Sequence, residues 1–202
     1  MASPPGCTYL SLTCHIRCVA VDNRGYGETD KPSGIQNYSI DILADDIANL
    51  SKKLGREKFI LVGHDWGGAI GYHVCNRHRD MVDKYIVCNF PHPLSFKKQL
   101  EGNWRQLMNS WYIFMFQCPY IPERFCQFGD IKMFNGSFND MRRDRRPSKE
   151  EIECYKYTFN DQGNKLNLLF FVTKMCHSQI MNRSFSRTNQ LLPPLISIWQ
   201  RQ

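Results

Sequence analysis

The sequence predicts an α/β fold: a parallel sheet with helices on both faces, followed by a helical insertion. Three observations predict it. Between Arg17 and Phe90, short apolar runs rich in β-branched residues alternate with stretches of helical periodicity. Phe59 to Val62 runs directly through Gly63-His64-Asp65-Trp66-Gly67-Gly68 into a helical pattern from Ala69 to Arg79: a strand, a tight turn and a helix. From Leu94 to about Gly163 the texture changes to helical spacings dense in aromatics, including Trp104, Trp111, Tyr112, Phe114 and Phe116, with no convincing strand.

Met1 to Ile16 is small and polar without a clear period, and no element is assigned to it. Arg17 to Asp22 (RCVAVD) reads as a buried parallel strand that ends in the turn Asn23-Arg24-Gly25-Tyr26-Gly27. The turn's two glycines suit close backbone packing. They do not form G-x-G-x-x-G, and no helix follows at once, so a phosphate-binding loop is not expected. Tyr38-Ser39 opens a helix to about Leu54, because Ile40, Leu43, Ile47, Leu50 and Leu54 recur at spacings of three and four. Ser39 is its expected cap, Asp41 suits its first turn, and Gly55 ends it. After the strand and helix around Asp65, Tyr85 to Phe90 is a further strand, stopped by Pro91-His92-Pro93. Ser148-Lys149-Glu150-Glu151 fits a capping box and starts a helix to about Tyr157. Leu191 to Trp199 is one possible further strand.

Glycines two before and two after Asp65 match the nucleophile-elbow pattern, with a carboxylate in the place of the more common serine. Such a turn lifts the side chain over the carboxyl end of the sheet, where folds of this class place their sites. Gly68 lets the helix pack close to the strand, and the helix N-terminus favours a carboxylate. The turn alone also admits a plainer reading, a strand-to-helix turn with Asp65 as helix cap.

Composition narrows the classes. The net charge is +7, but residues from Gln162 onward hold five of the 26 Lys and Arg and none of the 19 Asp and Glu. Five scattered charges suit a solvated tail, and Met141 to Arg146 (MRRDRR) has no interleaved aromatic for base stacking, so no nucleic-acid partner is expected. The nine cysteines form no C-x-x-C pair and no metal-ligand spacing with the six histidines. No metal is expected, and thiols in a reducing compartment fit, either cytoplasmic or facing such a compartment from a membrane. The first 16 residues lack a secretory signal pattern, and Leu166 to Val172 is too short to span a bilayer.

GHDWGG (Gly63 to Gly68), VAVDNRGYGETDKP (Val19 to Pro32), ADDIANL and FPHP (Phe90 to Pro93) together resemble the α/β-hydrolase superfamily, and within it the epoxide hydrolases. The resemblance continues through WYIFMFQCP (Trp111 to Pro119) and EEIECYKYTF (Glu150 to Phe159), which are similar to that family's cap. It implies an α/β-hydrolase fold, incomplete at both ends: residues 1–16 unstructured or replaced, 17–93 a partial core, 94–164 a helical cap and 165–202 a divergent basic tail with a strand at 191–199. It implies Asp65 as nucleophile, Tyr112 as hydrogen-bond donor to the epoxide oxygen and the Trp66 backbone N–H as oxyanion donor. His64, His92 and Trp111 fall to the pocket. A small apolar epoxide would be opened to a vicinal diol without metal or organic cofactor.

The departures bear on activity. No HGxP motif occurs in Met1 to Ile16, no Asp or Glu follows Asp161, and His177, the one histidine after the cap, precedes the last strand. Low or no turnover is expected of this chain, and membrane association only through an N-terminal segment outside it. Two other readings stand beside it: haloalkane dehalogenase chemistry on the same aspartate, and a non-catalytic chain that binds a lipid-like ligand or a partner.

Overall fold

The computed structural model describes residues 16–109, 111, 115, 118, 147–153 and 195–198. The expected strand at Arg17 to Asp22 is not one: residues 16–23 have no ladder partner among the described residues, and Val19 and Val21 are exposed. β-branched residues favour an extended backbone, but a strand also needs a neighbour to take its N–H and C=O groups. The following turn is tightly bonded. Thr29 Oγ1 donates to the Asn23 and Tyr26 carbonyls, Lys31 Nζ donates to the Gly27 and Thr29 carbonyls, and Gly27 lies at φ 52 with the Asp22 carboxylate where a Cβ would stand. Its glycine is spent on packing, as the sequence suggested.

A short 3-10 helix, Ile35–Tyr38, leads into α1, Ile40–Lys53. Ser39 caps α1 through its hydroxyl, which accepts from Ile42 N–H at 3.4 Å, and Gly55 at φ 70 closes the C-terminal end. Ile40, Leu43, Ala44 and Ala48 are buried. Two acids on its polar face tie α1 to the next helix: Asp41 meets His73 at 2.6 Å, and Asp45 meets Arg77 at 2.8 Å and His78 at 2.6 Å. The hydrogen bond from Arg77 holds the Asp45 carboxyl below the usual carboxylate range, and His78 adds to this. Asp46 takes a bidentate pair from Arg24, both at 2.7 Å, which pins the glycine turn to α1.

β1, Phe59–His64, runs two residues beyond its expected end, and α2, Trp66–Arg77, starts three residues before its expected start. β2, Val82–Cys88, is parallel to β1 with Leu61 opposite Tyr85 and His64 opposite Cys88. It stops two residues short of the expected Phe90 because Asn89 turns to φ 54. β3, Leu195–Ile198, lies within the expected 191–199 and pairs parallel with β2, giving the order β1-β2-β3. α2 packs on the face that carries Leu61, Tyr85 and Val87, whereas Ile60 and Val62 on the other face are 49% and 62% exposed. Beyond the sheet, α3 spans Pro93–Gly102 and α4 Trp104–Asn109. Residues 149–153 are helical, and the capping box is reciprocal: Glu151 N–H donates to Ser148 Oγ at 3.1 Å, and Ser148 N–H to Glu151 Oε2 at 2.7 Å.

Tyr85 seats α2 on the sheet. It is fully buried, its hydroxyl donates to the Gly68 carbonyl at 2.5 Å, its ring meets Tyr72 edge-on at 5.1 Å, and Gly71 leaves the space it fills. Burial pushes its hydroxyl far above the ordinary tyrosine range, so it stays a proton donor at any working pH. Tyr85→Phe removes that bond and leaves a buried carbonyl short of a partner, an expected loss of about 1–2 kcal/mol. The urea midpoint should fall with an unchanged slope.

Candidate active site

Asp65 is the joint between β1 and α2. Its backbone lies at φ 51, ψ −124, a region costing a non-glycine residue about 1–3 kcal/mol. Its surroundings hold it there: Asp65 N–H donates to the Cys88 carbonyl at 3.1 Å, and the Asp65 carbonyl accepts from Gly68 N–H at 2.8 Å and Ala69 N–H at 3.3 Å. Asp65 occupies the cap position of α2, yet its side chain makes no capping hydrogen bond and the residue is exposed. The helix-cap reading of this aspartate therefore fails, and the carboxylate is presented at the carboxyl end of β1.

The glycines around it have unequal duties. A Cβ on Gly63 would stand 2.7 Å from the Gly67 carbonyl oxygen and 3.0 Å from Gly68 Cα. A Cβ on Gly67 would meet nothing within 4 Å, so close contact does not require the second glycine of the pattern. Gly68 is the one that lets α2 approach, since a Cβ there would stand 2.7 Å from Phe90 Cβ and 3.0 Å from Val87 Cγ2.

Trp66 is the first residue of α2, where a helix leaves its N–H groups outside its own ladder. Its half-buried ring lies 6.2 Å from that of Phe90, which in turn lies 6.2 Å from Phe96. His64 is exposed at the end of β1, with Nε2 3.3 Å from Asn89 Nδ2. His92 caps α3, its Nδ1 accepting from Leu94 N–H at 3.3 Å, and its ring stands edge-on to Tyr72 at 5.2 Å. Trp111 is helical and 57% exposed, and Tyr112 lies outside the described residues. The structure thus brings His64, Asp65 and Trp66 together beside Cys88 and Asn89. Sequence reasoning missed Asn89 and Phe90, although an asparagine just before a proline-rich stop is a sign of a left-handed residue.

Burial lowers the His92 pKa from its ordinary 6.5. The folded state therefore takes up this proton less readily than the unfolded chain. Its contribution to stability is complete above about pH 6.5 and is lost as pH falls below that value toward the folded pKa. Urea unfolding near pH 7.5 and near pH 5.5 should show a smaller acid loss in His92→Gln than in the parent chain.

Among the described residues no cluster of three or more His, Cys, Asp or Glu is placed to hold a metal, and no helix is long and apolar enough to cross a membrane. Burial pushes the Cys75 thiol up to about 12, which makes it a packing residue.

The family model for the alpha/beta hydrolase fold matches residues 8–116, over half of the chain. The chain belongs to the alpha/beta hydrolase fold family. This alpha/beta hydrolase is 41% identical over 151 residues to "Epoxide hydrolase 1" of Caenorhabditis elegans, covering 73% of the chain and 37% of that relative. It is 40% identical over 152 residues to "Epoxide hydrolase 4" of Homo sapiens, covering 73% of the chain and 42% of that relative. Among solved structures, a mutant epoxide hydrolase from Bacillus megaterium complexed with its 1,2-diol product superposes with a TM-score of 0.73 at 25% identity, over 88% of the chain and 64% of that protein. The chain spans less than half the length of these two curated relatives. In this alpha/beta hydrolase the strained joint after β1 is occupied by an aspartate.

Proposed function

We propose that Asp65 opens epoxides by forming an alkyl-enzyme ester. The observation that carries this is the exposed carboxylate on a strained joint at the sheet's carboxyl end, with no helix cap to make. A carboxylate suits the step because it is ionised at neutral pH and needs no base to activate it. One Asp65 oxygen attacks an epoxide carbon and the ring C–O bond breaks. The leaving oxygen stays tethered and takes a proton, for which Tyr112 is the proposed donor. Water then adds to the ester carbonyl, giving one proton to the departing alkoxide and the other back to Tyr112; the Trp66 N–H stabilises the oxyanion, and expulsion of the alcohol releases a vicinal diol and restores Asp65.

For the substrate we propose a small apolar epoxide. The aromatic content of the 94–164 stretch and the aryloxy-propanediol in the Bacillus megaterium complex both support this choice. Incubation with naphthyl glycidyl ether, and separately with a bromoalkane, tests the reading. The expected result is diol or a persistent ester from the epoxide, with no bromide released. Bromide release without epoxide opening would make the chain a dehalogenase, and no reaction with either would make it a binding protein.

A further inference from the structure

The elbow has a second strained residue beside it. Asp65 at φ 51 and Asn89 at φ 54 are the described non-glycine residues with positive φ, and each follows directly the end of one of two neighbouring parallel strands. Asparagine tolerates this conformation better than most residues, so its φ alone signifies only a turn. Its side chain adds something. The Asn89 amide reaches back across the strand ends to His64 Nε2 at 3.3 Å, while the neighbouring Cys88 carbonyl accepts from Asp65 N–H at 3.1 Å. Two consecutive residues leaving β2 thus brace the two consecutive residues that form the elbow.

We infer that Asn89 is a positioning residue for Asp65, acting through His64. The amide nitrogen can only donate, so His64 Nε2 accepts and the ring proton sits on Nδ1. Held in that tautomer, His64 is fixed at the end of β1, and the strained backbone that follows it is fixed with it. A conformation of this kind persists only where its neighbours over-determine it. For its kinetic readout, and for that alone, the inference rests on the reading of Asp65 as nucleophile.

Asn89→Gly is the decisive variant, since glycine accepts the left-handed backbone freely and removes only the amide. In the parent chain, imidazole nitrogen NMR, with the His64 signals assigned by comparison with His64→Gln, should report a single neutral tautomer protonated on Nδ1. In Asn89→Gly the circular dichroism should be unchanged, whereas His64 should become a mixture of tautomers. The rate of Asp65 alkylation should fall about tenfold at an unchanged half-saturating epoxide concentration. The inference is overturned if the His64 tautomer of Asn89→Gly equals that of the parent, or if a parent that forms the ester and Asn89→Gly alkylate at the same rate. It stands if the tautomer changes even though the parent forms no ester; that result overturns the nucleophile reading instead. If the glycine variant unfolds, Asn89→Asp provides the same comparison: a carboxylate cannot donate to Nε2, so a parent-like tautomer there also overturns the inference.

Discussion

Replacing Asp65 by asparagine should lower the rate of ester formation with an epoxide by about 10⁴-fold, to background, while leaving the melting temperature unchanged. The two side chains have nearly the same shape. The bonds that hold residue 65 in its strained conformation run from its backbone to Cys88, Gly68 and Ala69, and they survive the change. What is lost is the negative charge on the attacking oxygen. Because the carboxylate makes no capping bond, its loss costs α2 no cap, which separates this result from that of an ordinary N-cap substitution. Mass spectrometry of the peptide that carries residue 65, across a time course, gives the rate apart from any cysteine adducts. A comparable rate in Asp65→Asn would mean that the reacting group lies elsewhere.

Gly63→Ala and Gly67→Ala should move stability in opposite directions, although both glycines flank Asp65 at the same distance in sequence. The Cβ added at residue 63 meets the Gly67 carbonyl and the Gly68 Cα. All of these are backbone atoms in the first turn of α2, so no side chain can swing aside and β1 must separate from the helix. A loss of about 1–3 kcal/mol is expected, together with loss of ester formation as the elbow opens. At residue 67 the added Cβ points into open space on a helix, and removing a helical glycine is expected to add about 0.5–1 kcal/mol. Denaturant midpoints for the two variants check both signs. If Gly67→Ala keeps its stability but loses alkylation, the open space at that position is where the substrate lies.

The elbow was legible in the sequence because its determinants are local: a β-branched run, a glycine before Asp65 and a helical period after it. The cap of α1 at Ser39 and the capping box at Ser148 were legible for the same reason, since each satisfies its own backbone within a few residues. Features set by tertiary contact were not. Val19 and Val21 carry strand propensity without a described neighbour to pair with. Asp41, Asp45 and Asp46 lie outside the apolar period of α1, and nothing local shows that they bond to His73, Arg77, His78 and Arg24. Asn89 gained its interest only when the parallel register placed it across from the elbow. Gly68 was expected to bring the helix close, and it does so against Phe90, a contact that only the fold creates.

Peptide mapping of the chain after reaction with naphthyl glycidyl ether tests most directly whether Asp65 is the nucleophile. Mapping is needed because the chain has nine cysteines, and thiolates also open epoxides. The expected result is up to one equivalent of adduct on the peptide that carries Asp65, bound through a hydroxylamine-labile ester. Adduct confined to cysteine, or an unmodified Asp65 in a folded chain that forms no diol, would contradict it.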